Sequence, residues 1–153
     1  MKLLHVKTKR EVQAEILEVE DEDYKLIKKS KEFGFDWSLE RKYNVFKIVT
    51  LENEEIQGLL SVINIKDEFR IHINLIENAN SNRGKNKMYD RVAGCLLAFA
   101  VQIAFEKGYL GFTSLIPKTE LIGLYIKKYG FSQYGRQLAI ERKEAIGLIK
   151  KYF

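Results

Sequence analysis

Residues 81–100, SNRGKNKMYDRVAGCLLAFA, place four cations ahead of an apolar run: Arg83, Lys85, Lys87 and Arg91. Glycines stand at Gly84 and Gly94. The first main-chain N–H groups of a helix have no intrahelical acceptor, and the helix dipole adds positive charge there. Cations and a glycine before such a start suit the holding of phosphate groups. The rival reading is a solvated basic turn before a core helix.

Other chemistries lack their residues. His5 and His72 are far apart and show no metal-ligand spacing. No nucleophile elbow or Walker loop occurs. The acidic run Glu18–Asp23, EVEDED, lacks calcium-loop spacing and reads as a solvated surface. The single cysteine, Cys95, sits inside the apolar run and reads as a small buried hydrophobe. One cysteine allows no intrachain disulfide, which fits a reducing cytoplasm. MKLLHVKTKR at the N-terminus has too short an apolar stretch for a signal peptide. Val92–Phe105 is the longest apolar-rich stretch, well short of the ~20 residues of a membrane span. The net charge of +5 makes an anionic partner plausible. Acids and bases are interspersed, 21 against 26, whereas a nucleic-acid face clusters its cations.

These residues need elements to position them. The chain of 153 residues, with one proline and no low-complexity linker, suits a single domain over 1–153. Val12–Val19 alternates partly and predicts a strand; Asp21–Lys31 predicts a surface helix running into the turn Phe33–Gly34–Phe35. Asn44–Thr50, Ile56–Ile65 and Phe69–Ile76 predict three strands joined by short turns, an antiparallel meander. In the last, Phe69, Ile71, Ile73 and Leu75 should share one face, with Arg70, His72 and Asn74 on the other. Tyr89–Lys107 predicts a helix buried on most sides and stopped by Gly108. Tyr109–Ile116 predicts a strand, parallel to 69–76 through a right-handed crossover. Thr119 is expected to cap a helix that runs through Lys128 and stops at Gly130. Arg136–Glu141 predicts a late strand and Glu144–Tyr152 a final helix, with Ala145, Ile146, Leu148 and Ile149 as its apolar stripe.

This order, from Phe46 to Glu141, resembles the GNAT (GCN5-related N-acetyltransferase) family. Leu121–Phe131 resembles the family's L-Y-x-K-x-G-F helix ending, with Leu124, Tyr125, Lys127, Gly130 and Phe131 standing for its named residues. The family's R/Q-x-x-G-x-G/A turn aligns with Met88 at the Arg/Gln position, Arg91 at the first glycine and Ala93 at the last position. A second register uses Arg83–Gly84–Lys85 but leaves an extra segment before the helix; the first fits the helix residues better. A family asparagine near the start of the later helix falls at Lys118.

The resemblance implies an α/β (mixed α+β) fold with a mostly antiparallel mixed sheet flanked by helices. It implies an acetyl-CoA-dependent N-acetyltransferase acting on a small-molecule or peptide amine, with direct attack on the thioester. Main-chain groups at Tyr89, Asp90, Arg91, Val92, Ala93 and Gly94 would hold the pyrophosphate, with Lys85 and Lys87 adding charge. N–H groups around Leu75, Ile76 and Glu77 would polarise the thioester carbonyl. Tyr125 would protonate the leaving thiolate, as a phenol and a thiolate of comparable basicity allow. Glu77, then His72, are the candidates for the base. Five residues apart on a regular strand, they point to opposite faces. The alternatives are a catalytically weak module that binds coenzyme A or a protein, and a nucleic-acid binder; homodimerisation stays open.

Overall fold

Alternating and β-branched runs form most of the strands where expected. The computed structural model describes residues 1–153. In chain order the elements are β1 (Lys2–His5), β2 (Glu11–Glu18), α1 (Asp21–Ser30), β3 (Asn44–Thr50), β4 (Ile56–Ile65), β5 (Arg70–Asn78), β6 (Tyr89–Asp90), α2 (Val92–Glu106), β7 (Thr113–Leu115), α3 (Ile122–Leu124), β8 (Ser132–Tyr134), β9 (Gln137–Ile140) and α4 (Arg142–Tyr152). No helix is long and apolar enough to cross a membrane. Two compact units divide the chain: Met1–Ser61 with Leu75–Leu96, and Val62–Asn74 with Leu97–Phe153.

In the first unit the strands run in the order β6-β1-β2-β3-β4-β5. β1 pairs antiparallel with β2 and β6, and β2 antiparallel with β3. The short connections from β3 to β4 and from β4 to β5 permit only antiparallel pairing, because a parallel crossover needs about a dozen residues. Its apolar cluster is Ile27, Trp37, Val45 and Leu59, with Phe33, Ile56 and Leu75 packed against it. α1 opens on a reciprocal cap between Glu20 and Asp23 and closes at Lys31 in the left-handed conformation. Gly58 on β4 lets the first turns of α2 approach: a Cβ there would lie 2.7 Å from Val92 Cγ1 and 3.0 Å from Leu96 Cδ1.

In the second unit the order is β4-β5-β7-β9-β8. β5 and β7 are parallel, with Ile71 opposite Thr113; β7–β9 and β8–β9 are antiparallel. Leu97, Ala98, Ala100, Val101 and Ala104 of α2 are fully buried, as are Leu138 and Ala145.

Several boundaries differ from expectation, for backbone reasons. α2 begins at Val92 because Tyr89 and Asp90 are zipped to β1 and Arg91 takes φ +80°. Tyr109–Leu110–Gly111 is a turn, since Gly108, Leu110 and Gly111 have φ of +81°, +54° and +76°, which no strand accommodates. Phe69 also has positive φ and is 66% exposed, so it leaves the buried face; β5 starts one residue later and extends to Asn78. Thr119 caps nothing: Thr119–Leu121 is a 3-10 turn preceded by Lys118, without a side-chain cap. On α4 the buried stripe is Ala145, Leu148 and Tyr152, while Ile146 faces out.

Candidate functional site

The segment after β5 is a clipped excursion. Met88 N–H donates to the Ser81 carbonyl at 2.8 Å, and Tyr89 N–H to Asn82 Oδ1 at 2.9 Å. Asn82 is buried, and its Nδ2 donates to the carbonyl and side chain of Gln57. Residues 83–87 are thereby held out from a fixed base, with Gly84 at φ +74° turning the tip. Arg83–Gly84–Lys85 belongs to this excursion and not to the helix start. Lys85 is exposed, and Lys87 pairs with Asp90 at 3.1 Å.

At the mouth of α2, Arg91 has φ +80°, the conformation a glycine adopts freely and a bulky residue adopts at a cost. Its N–H donates to Asp90 Oδ1 at 3.0 Å, and its Nε to the Lys2 carbonyl at 3.3 Å. The side chains of Tyr89 and Val92 turn inward, Tyr89 edge-on to His5 at 5.4 Å and Val92 toward Gly58. Only main-chain groups at those positions can meet a ligand. Gly94 is buried and Ala93 half-buried. Cys95 is fully buried, and burial pushes its thiol up to about 11, so it is an inert hydrophobe as expected.

Glu77 is 5% exposed and surrounded by donors. Its Oε2 accepts from Gly34 N–H at 2.7 Å and pairs with Arg83 Nη2 at 2.8 Å. Its Oε1 accepts from Trp37 Nε1 at 2.8 Å and more distantly from Phe35 N–H at 3.4 Å. A base needs a lone pair free for the proton it takes. Both oxygens are engaged here, which is the geometry of an anchor. Leu75 packs into the apolar cluster and Ile76 is half-buried. Trp37, Asn82 and the Arg83 partnership were not anticipated. The one signal was opposite charge six residues apart across an Asn-rich turn.

In the second unit, Arg70 Nη1 donates to Ser114 Oγ at 2.6 Å and lies 3.3 Å from His72 Nδ1, while Ser114 Oγ is 2.9 Å from that nitrogen. An arginine N–H only donates, so Nδ1 accepts and the neutral ring carries its proton on Nε2. Burial, then the Arg70 charge, lower the His72 pKa from its ordinary value. One nitrogen is thus occupied and the other carries the proton.

Tyr125 opens a π-helical turn, Tyr125–Tyr129, that follows α3. The family ending has one residue between its lysine and glycine; here Lys128 and Tyr129 both intervene. An extra residue in an α-helix would rotate Tyr125 by about 100° relative to the helix end. The π-turn absorbs it, with Gly130 N–H donating to the Tyr125 carbonyl and Gly130 stopping the helix at φ +84°. The Tyr125 ring is buried against Tyr129 at 5.6 Å and Phe131 at 5.7 Å. Its hydroxyl has no hydrogen-bond partner in the chain, and burial raises its pKa. It therefore keeps its proton at neutral pH.

No family model matches the sequence, and no curated protein matches it. Solved structures do. A chimera of the spermidine N-acetyltransferase SpeG from Vibrio cholerae and hSSAT superposes with TM-score 0.65 at 16% identity, over 88% of this chain and 99% of that one. A protein from Desulfovibrio desulfuricans assigned to the GNAT family gives 0.62 at 12%, over 84% and 99%. The chain has the GNAT fold. The PaiA N-acetyltransferase of Thermoplasma acidophilum, in complex with coenzyme A, gives 0.57 at 15%, over 86% and 99%. Other structures of GNAT fold hold acetyl-CoA, and one holds acetyl-methionyl-tRNA. The expectation against a nucleic-acid partner thus has no support from the fold. At such identities the GNAT fold is what is shared.

Proposed function

We propose that this chain transfers an acetyl group from acetyl-CoA to an amine. The observation that carries the proposal is Tyr125, a buried phenol with an uncommitted hydroxyl, in a π-turn that keeps it in step with the Gly130 helix end. The amine nitrogen attacks the thioester carbonyl, the C–N bond forms and the C–S bond breaks. Tyr125 gives its proton to the departing sulfur. With Glu77 and His72 engaged, the proton released by the amine passes to water. N–H groups near Leu75–Glu77 polarise the carbonyl.

The pyrophosphate fits the α2 mouth on main-chain grounds. Arg91 holds a glycine-like φ, and the first N–H groups of α2 have no intrahelical acceptor. Lys85, Lys87 and Arg91 supply cations. Asp90 stands against this, because its carboxylate takes the Arg91 N–H and pairs with Lys87. Binding requires Asp90 to turn out. That same contact favours a second reading, a GNAT-fold module that binds coenzyme A weakly and turns over little.

The test joins calorimetry with a turnover screen against spermidine, amino acids, peptide N-termini and aminoacyl-tRNA. Acetyl-CoA well above its Kd should add about 2–3 kcal/mol of stability, and one amine class should yield acetylated product. Binding without product on any amine supports the module. No heat at millimolar acetyl-CoA with folded protein ends both.

A further inference from the structure

The final helix α4 has two worked faces. Ala145, Leu148 and Tyr152 are buried in the second unit. Arg142, Ile146 and Lys150, at spacings of four, lie on the other side with Lys143, beside Phe105 and Leu110. Together they line an open groove of about 660 Å³. Its floor is apolar: Ile146 is 45% exposed, Leu110 is 48% exposed, and Phe105 is half-buried. Gly147 has open space where a side chain would stand, which keeps the groove clear.

The groove is held in shape. Phe105 presses on the turn at Gly111, where a Cβ would fall 2.6 Å from the ring. The Arg142 N–H donates to the Leu110 carbonyl at 2.8 Å, and both residues sit at positive φ, +51° and +54°. Strained backbone of this kind persists only where its surroundings fix it. Leu110 is thus fixed outward at the groove edge. The rim is cationic, and no carboxylate lines it. Arg142 has one ion-pair partner, exposed Glu141, at 3.2 Å.

We infer that this groove docks an acidic amphipathic helix of another protein, through apolar anchors on Phe105, Leu110 and Ile146 and carboxylates on Arg142, Lys143 and Lys150. Three alternatives fit less well. A phosphodiester backbone gains nothing from an apolar floor. A lipid surface takes protruding apolar side chains, whereas here they lie inside a concavity. This chain's own acidic run is already in use, with Asp21 on Arg41 and Asp23 on Lys47. An i, i+3, i+7 apolar stripe flanked by glutamates matches both the floor and the rim.

The probe is a labelled four-turn synthetic peptide with leucines at i, i+3 and i+7 and glutamates beside them. It is titrated by fluorescence anisotropy against the full chain, next to a scrambled peptide of the same composition. The designed peptide should bind more than about tenfold tighter than the scrambled one. Ile146→Glu and, separately, Lys143→Gln with Lys150→Gln should each weaken it by about tenfold or more. Both changes are at exposed positions, and circular dichroism checks that the fold persists. Equal binding of the two peptides, or binding unaffected by both variants, overturns the proposal. So does capture of phosphatidylserine vesicles or duplex DNA that both variants abolish while the designed peptide does not compete.

Discussion

A phenol with no hydrogen-bond partner has its proton free to give. Tyr125 is such a group, and burial holds it protonated past the ordinary phenol range. Tyr125→Phe keeps the ring contacts with Tyr129 and Phe131 and removes only the donor. Melting temperature and acetyl-CoA affinity should stay near wild type, since no partner in the chain is orphaned. Turnover should fall by about 10²-fold, and the fall in rate above pH ~10 should disappear with the phenol. Undiminished turnover in the Phe variant would leave Tyr125 only a packing role. The sequence pointed to this residue by type, yet its count was one residue off the family ending. Only the backbone could show that a π-turn makes up the difference. Arg91 was legible in the same partial way. Its place at a glycine position could be read, but not that it adopts glycine's φ or that Asp90 occupies its N–H.

At the scale of elements, the long alternating or apolar segments were legible: β3 and β4 have the expected bounds, and α1, β5 and α2 lie within a few residues of theirs. β1, β6 and β8 escaped, because strands of two to four residues carry no period and exist through their partners. The elements are also where Glu77 belongs. It ties the end of β5 to the loop Gly34–Trp37 and to Arg83 in the excursion. A strand-end carboxylate reads equally as base or anchor in sequence, since three of its four donors, on Gly34, Phe35 and Trp37, come from 40 residues or more away. Glu77→Gln should cost about 1–3 kcal/mol, half-exposed Arg83 recovering some solvation once its partner is neutral. Denaturant titration should show that loss, and the low-pH side of the rate profile should not move. A fully stable Gln variant whose acid limb shifts would restore Glu77 as the base.

Across the whole molecule, each compact unit encloses an acid kept neutral by burial: Cys95 in the first and Tyr125 in the second. Their folded pKa values are raised, so above the unfolded values the unfolded chain binds fewer protons than the native one. Their contribution to stability is therefore whole below pH ~9 and is lost as pH climbs from the unfolded values through the folded ones. His72 acts at the other end. Its lowered pKa means the unfolded chain takes up the proton first, and stability declines as pH falls below about 6.5. Cys95 sets the size of the alkaline loss, moving from 9.0 to about 11. At about 1.4 kcal/mol per pH unit, that is on the order of 3 kcal/mol at full titration. Urea unfolding of the wild type and of Cys95→Ala, taken from pH 7.5 to 11, isolates the contribution, because every other group titrates in both. The alanine variant should start slightly less stable, for the packing it loses in a fully buried site. The gap between the two should then close or invert toward pH 11. Parallel profiles over that range would mean that the thiol is not held neutral by the core, and that the first turns of α2 admit water.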